Sequence, residues 1–96
     1  MDKKFRTKLR SMAQTIDPIG QVGKGGISPN QIESFKQALE KRELIKITVL
    51  NNSEETASEL SSELATQTGA EVVCVIGHKV VLYKRSTKDG VKHIEL

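Results

Sequence analysis

The segment Pro18-Ile19-Gly20-Gln21-Val22-Gly23-Lys24-Gly25-Gly26-Ile27-Ser28-Pro29-Asn30-Gln31 passes from strand to loop to helix within a few residues. Ile19 to Val22 is apolar at alternate positions, the period of a short strand with one buried face. Gly23-Lys24-Gly25-Gly26 then interrupts any regular element. Ser28 is a good N-cap, and Pro29 suits the first helical position, where a missing N–H costs nothing. Gln31 completes an S-x-x-Q capping box. Ile32, Phe35 and Leu39, with Ala38 alongside, make the buried stripe of the helix that follows.

Working outward from that segment, a helix precedes it. Phe5, Leu9, Met12 and Ile16 fall on one helical stripe, widened by Ala13, and Asp17-Pro18 is expected to end it. Downstream, Leu44 to Leu50 is an alternating, β-branched run and reads as a strand. A third helix is expected from Asn52 or Ser53, with Glu54 and Glu55 set against its N-terminal dipole and Gly69 just past its end. Its apolar face is Ala57, Leu60, Leu64 and Ala65. Val72 to Ile76 is nearly continuous Val, Cys and Ile, which predicts a central strand buried on both faces. Gly77-His78 is the expected turn into an antiparallel partner, Val80 to Tyr83. The fold class is therefore α/β: one domain, ordered α-β-α-β-α-β-β, with a mixed four-stranded sheet packed with helices. Residues 1–85 form that domain and 86–96 a polar C-terminal tail.

Bulk properties narrow the function classes. Ninety-six residues suffice for one core. No apolar run reaches the ~18 residues that span a bilayer, and MDKKFRTKLR lacks the apolar region of a secretory signal. The single Cys74 excludes an internal disulfide. A cytoplasmic protein, not attached to membrane and monomeric, is the expectation. The net charge is +3, but the charges are segregated: residues 1–26 balance to +4, 53–71 to −5 and 72–96 to +3. A molecule so polarised can turn a basic side toward a polyanion, although solvated helix faces give the same count.

Catalytic signatures are absent. Cys74 lies within an apolar strand and reads as a core thiol, and His78 and His93 read as surface histidines without metal-ligand spacing. No nucleophile is paired with a base, so neither enzymatic activity nor a cofactor or metal is expected. The glycine loop is the feature with chemistry to offer. Its backbone N–H groups can converge on an anion, with Lys24 as a mobile charge, although Pro29 and the capped Gln31 N–H leave the next helix fewer free donors. GKGG fits neither nucleotide-loop spacing, but it has the short GxxG form with which KH modules hold a nucleic-acid backbone. On the first helix, Lys3, Arg6 and Arg10 share one flank of the apolar stripe, and Lys4 and Lys8 lie on the other. One flank is expected near the loop. With Phe5 and Phe35 on buried stripes and only Tyr83 free, base stacking should not dominate. Structured RNA, read through phosphates and shape, is the expected partner.

These motifs, taken in order, carry a resemblance. Leu9-Arg10-Ser11-Met12-Ala13, Pro18 to Ile27, Glu43-Leu44-Ile45-Lys46 and Val75-Ile76-Gly77-His78-Lys79-Val80-Val81-Leu82-Tyr83 together resemble the CRM domain, in its stand-alone bacterial YhbY-type form. The resemblance spans residues 3–85 and implies a fold similar to the C-terminal domain of translation initiation factor 3. It implies RNA binding through Gly23, Lys24, Gly25 and Gly26 with a basic surface around Arg10. Association with precursor RNA of the large ribosomal subunit is implied as well. The same domain occurs in plant group II intron splicing factors, so the fold does not choose the RNA. Lys84 stands before Arg85 where many members read Leu-Tyr-Arg, which separates Arg85 from the family pattern. The alternative is an adaptor that docks on the ribosome through its acidic third helix.

Overall fold

The computed structural model describes residues 1–95. Leu96, the last residue of the expected tail, lies outside the described residues. The elements follow the predicted order: α1 (Lys3–Ala13), β1 (Gly20–Val22), α2 (Pro29–Arg42), β2 (Leu44–Val49), α3 (Ala57–Thr68), β3 (Glu71–Ile76) and β4 (Lys79–Tyr83). They build one four-stranded sheet in the order β1-β2-β4-β3, with β1 parallel to β2 and the other pairs antiparallel.

Strand alternation sorts the core into two layers. Ile45, Ile47 and Val49 of β2, Val80 and Leu82 of β4 and Val22 of β1 face α2 and α3. Leu44, Val73 and Val81 face Leu9 and Ala13 of α1 on the other side. Gly20 lies against the Phe35 ring, which a Cβ would meet at 3.0 Å. Phe5 and Tyr83 meet edge to face at 5.2 Å, so Tyr83 is not the free aromatic that the sequence suggested.

Three expectations about the helices and strands need correction. The Val72–Ile76 strand is not central: β3 is a sheet edge, and Ile76 is half exposed. Its unbroken apolar run reflects a β-bulge between Val72 and Cys74, which turns both Val73 and Cys74 toward α1. Helix α3 begins at Ala57, not at residue 52 or 53, because Thr56 rather than Ser53 is the N-cap. Thr56 Oγ1 accepts the Glu59 N–H and Glu59 accepts the Thr56 N–H, a capping box the sequence reading passed over. Helix α1 closes at Ala13, before Asp17-Pro18, with Thr15 Oγ1 donating to the Met12 carbonyl. Ile16, just outside the helix, still packs on the α1-side core.

Among the described residues, the segment after β4 has no helix or strand, yet it is held in place. Its anchor is Glu43, fully buried and in the left-handed region at φ 65°, where it closes α2. The Glu43 carboxylate accepts the N–H groups of Ser86 and Ile94, each at 2.7 Å, and meets His93 Nδ1 at 2.5 Å. His93 is therefore a half-buried partner and not the surface histidine expected. Glu40 accepts from Ser86 Oγ and from Thr87 N and Oγ1, and it pairs with Lys84 at 3.7 Å. Lys8 Nζ donates to the Glu95 carbonyl. Burial alone would raise the Glu43 carboxyl. The His93 contact, the two backbone N–H groups and the imidazolium charge outweigh it and hold the group below the ordinary carboxylate range. Glu40 is lowered to about 2, chiefly by the Thr87 hydroxyl and N–H.

Candidate nucleic-acid interface

The loop after β1 is a closed turn. The Gly26 N–H donates to the Gly23 carbonyl at 3.0 Å, and the two residues form an isolated bridge. Gly26 has φ 72°, a conformation in which a side chain is strained. At Gly23 a Cβ would meet Asn52 Oδ1 at 3.0 Å and Leu50 Cδ1 at 3.2 Å, so this position holds the turn against the end of β2. Around Gly25 there is open space, and Lys24 stands exposed at the tip. The capping box of α2 forms as read from the sequence, so Gln31 N–H is occupied by Ser28 Oγ. The Gln31 amide also donates to the Gln21 carbonyl at 2.7 Å, tying the helix start to β1.

The loop's surroundings are less favourable to an anion than its own composition. Lys24, Gly25 and Gly26 border a cleft of about 220 Å³ whose other wall includes Ser53, Glu54 and Glu55. Burial, followed by the charges of Glu63 and Glu59, raises the Glu55 carboxyl above its ordinary range. The glycine loop therefore carries one cation beside an acidic wall.

Of the expected basic residues of α1, Arg6 is engaged within the chain. Arg6 Nη1 donates to the carbonyls of Val72 and Val73 at 3.0 and 2.9 Å, satisfying the bulge of β3. That contact is at the sheet edge opposite β1, on the face away from α2 and α3, so Arg6 does not join the glycine loop. Lys3 lies one turn earlier on the same helix, exposed. Arg10 is exposed and precedes Gln14 by one turn, on a shared helix face.

Gln14 leads to residues that the sequence reading did not single out. Helix α1 covers only part of its face of the sheet. Beyond its C-terminal end, Lys46 and Thr48 of β2, Lys79 of β4 and Gln21 of β1 point to the same side. A groove of about 460 Å³ opens there over the buried Val81, lined by the exposed Ile76 and by Gln14, Lys46, His78 and Lys79. No Asp or Glu among the described residues lines the groove. Among the described residues, neither lysine has an ion-pair partner. Lys46 sits at alternating register with Leu44 and Thr48, and only the partial reach of α1 uncovers it. Alternation was visible in the sequence; the end point of α1 on the sheet was not.

No group of His, Cys, Asp and Glu among the described residues could hold a metal ion, and no helix there is long and apolar enough to cross a membrane.

The chain matches the family model described as the CRS1 / YhbY (CRM) domain over residues 1–84. It is 46% identical over 88 residues to YqeI of Bacillus subtilis, named a probable RNA-binding protein, covering 92% of this chain and 90% of the relative. An RNA-binding protein of Haemophilus influenzae is 29% identical over 86 residues, covering 90% and 87%. A hypothetical protein of Staphylococcus aureus, solved in solution, superposes with a TM-score of 0.78 at 41% identity, covering 98% of this chain and 99% of its own.

Proposed function

The chain belongs to the CRS1 / YhbY (CRM) domain family, and from that premise we propose that it is an RNA-binding protein without catalytic activity. It engages structured RNA through the Gly23–Gly26 turn and an adjacent basic surface that includes Arg10. The RNA is a precursor of the large ribosomal subunit, bound during assembly in the cytoplasm, and the protein acts as a monomer. The observation that carries this reading is the turn itself: Lys24 is exposed at its tip, and the space around Gly25 is open. A phosphate can approach the Gly25 backbone there with no Cβ in its way. Relatives across nearly their whole length are named for RNA binding, which supports the same class of partner.

Sedimentation of a cell lysate tests the assembly role. Wild-type protein should travel with precursor large-subunit particles, and Lys24→Glu should remain near the top of the gradient. Wild-type protein at the top in gentle salt would sink the ribosomal assignment. Binding should also weaken with salt, with a log–log slope of about −0.7 to −0.9 for each phosphate neutralised. The adaptor reading, which rests on the acidic third helix, is tested by charge reversal at Glu59 and Glu63. Loss of particle association with RNA affinity intact would favour it.

A further inference from the structure

We propose that the groove on the α1 side of the sheet seats an unpaired nucleotide of the RNA, its base against Ile76 and its flanking phosphates at Lys46 and Lys79. The inference rests on the RNA-binding reading and names a form of RNA and a second point of contact, apart from the glycine turn.

Three features define what the groove accepts. Its size, about 460 Å³, lies within the roughly 300–1,000 Å³ of small-molecule sites and admits a base but not a duplex. Its floor is apolar, and Ile76 is 51% exposed although it lies in a strand of Val, Cys and Ile. An apolar side chain left open at the mouth of a groove is a surface for a flat, weakly hydrated ligand face. Its rim is cationic: Lys79 pairs with Thr48 across the β2–β4 ladder, so Lys46 is its diagonal neighbour on the same face. Such neighbours are roughly 7–8 Å apart, a spacing from which two long side chains reach successive phosphates of one strand. Gln14 and His78, also on the rim, offer hydrogen-bonding groups for a base edge.

Charge complementarity selects the occupant. A peptide with acidic side chains could meet the lysines, but the floor is one compact apolar seat and not an extended row of pockets. A nucleotide puts its negative charge and its apolar face where the groove has cations and aliphatic carbon. Glu54 and Glu55 line the cleft at the glycine turn and a second cleft that reaches Gly77 and His78, but they do not line this groove. Among the described residues, no carboxylate side chain lines the groove itself.

Fluorescence anisotropy on the full chain tests the inference with two labelled RNAs of equal charge. One is a stem with an unpaired uridine loop; the other is a blunt, fully paired duplex. Wild-type protein should prefer the stem-loop. Ile76→Ser should weaken stem-loop binding about fivefold and leave the duplex almost unchanged. Lys46→Gln with Lys79→Gln should reduce the salt slope on the stem-loop by about 1.4. Both changes are on exposed or half-exposed side chains, and a urea titration should confirm the same midpoint as wild type. Unchanged binding in both variants overturns the inference and leaves the RNA reading standing, provided wild type binds. Equal weakening of stem-loop and duplex by Ile76→Ser overturns the base seat. Absence of wild-type binding to either RNA overturns the RNA reading and this inference together.

Discussion

The two ends of the sheet handle charge in opposite ways. At the end where α2 meets β2, Glu40 and Glu43 collect donors from Lys84, Ser86, Thr87, His93 and Ile94. At the other end, Lys24, Lys46 and Lys79 have no ion-pair partner among the described residues. No buried polar side-chain atom among the described residues lacks a hydrogen bond. The carboxylates at the first end are therefore satisfied within the chain, although Lys41, Arg42 and Arg85 are exposed there. The second end sets Lys46 and Lys79 beside the exposed Ile76. Saturated polar groups specify structure, whereas unpartnered cations beside an apolar floor remain available to a polyanion. Substitutions at the first end should cost stability and spare affinity, and those at the second should do the reverse.

Glu43→Ala is the largest expected effect. It leaves the N–H groups of Ser86 and Ile94 without their acceptor and frees the C-terminal segment, for a loss of about 3 kcal/mol in urea unfolding. RNA affinity, measured where the variant is folded, should match wild type. Glu43→Gly separates two contributions, since it relieves the left-handed backbone at φ 65° but also removes the carboxylate. If Glu43→Gly were as stable as wild type, the carboxylate network would contribute only as much as the strain that glycine relieves, about 1–2 kcal/mol. The acid limb follows from the same groups. Both carboxyls are held below the unfolded value, so their stabilisation is full above about pH 4.5 and disappears as pH falls toward the folded values, about 2 for Glu40. Glu43→Gln should flatten that limb.

Lys46→Glu with Lys79→Glu comes next, now at the open end. Two reversed charges on the groove rim should lower RNA affinity about a hundredfold at moderate salt, with the urea midpoint little changed. A loss of stability in place of affinity would erase the distinction between the two ends. Lys24→Glu reverses a single charge beside an acidic wall and should cost about tenfold in affinity. An effect larger than that of the groove pair would make the glycine turn the dominant contact.

How the sequence prepares these two ends differs as well. The element order followed from local signals, because each helix and strand carries its own period and Ser28, Pro29 and Gln31 mark α2 unambiguously. The Thr56–Glu59 capping box was equally local and was hidden only by Ser53-Glu54-Glu55, which imitates a helix start. What could not be read was whatever depends on partners far along the chain. Glu43 is a helix-ending carboxylate whose donors lie 43 to 51 residues away. The strand at 71–76 looked central because a bulge turns adjacent apolar residues to one side. Arg6 belonged to a basic flank by helical angle, yet bulged carbonyls take its guanidinium. Lys46 and Lys79 were ordinary strand lysines until the reach of α1 exposed them.

The smallest effect comes from the acidic wall and tests whether it restrains the glycine turn. Glu54→Gln with Glu55→Gln removes two negative charges facing Lys24 across the cleft. RNA affinity should rise about twofold to threefold at low salt, and the gain should vanish as the Debye length shortens toward about 3 Å at 1 M. Stability should respond with the opposite pH sign to Glu43. Burial, with the neighbouring glutamates, raises Glu55, so its contribution is present below the unfolded value and lost as pH rises through the folded one. The doubly neutralised protein should therefore be at least as stable as wild type at neutral pH, with the difference closing in acid. A fall in affinity would mean that these carboxylates help to hold the RNA, for instance by accepting from ribose hydroxyls or base amino groups. The glycine turn and its acidic wall would then act as one contact surface.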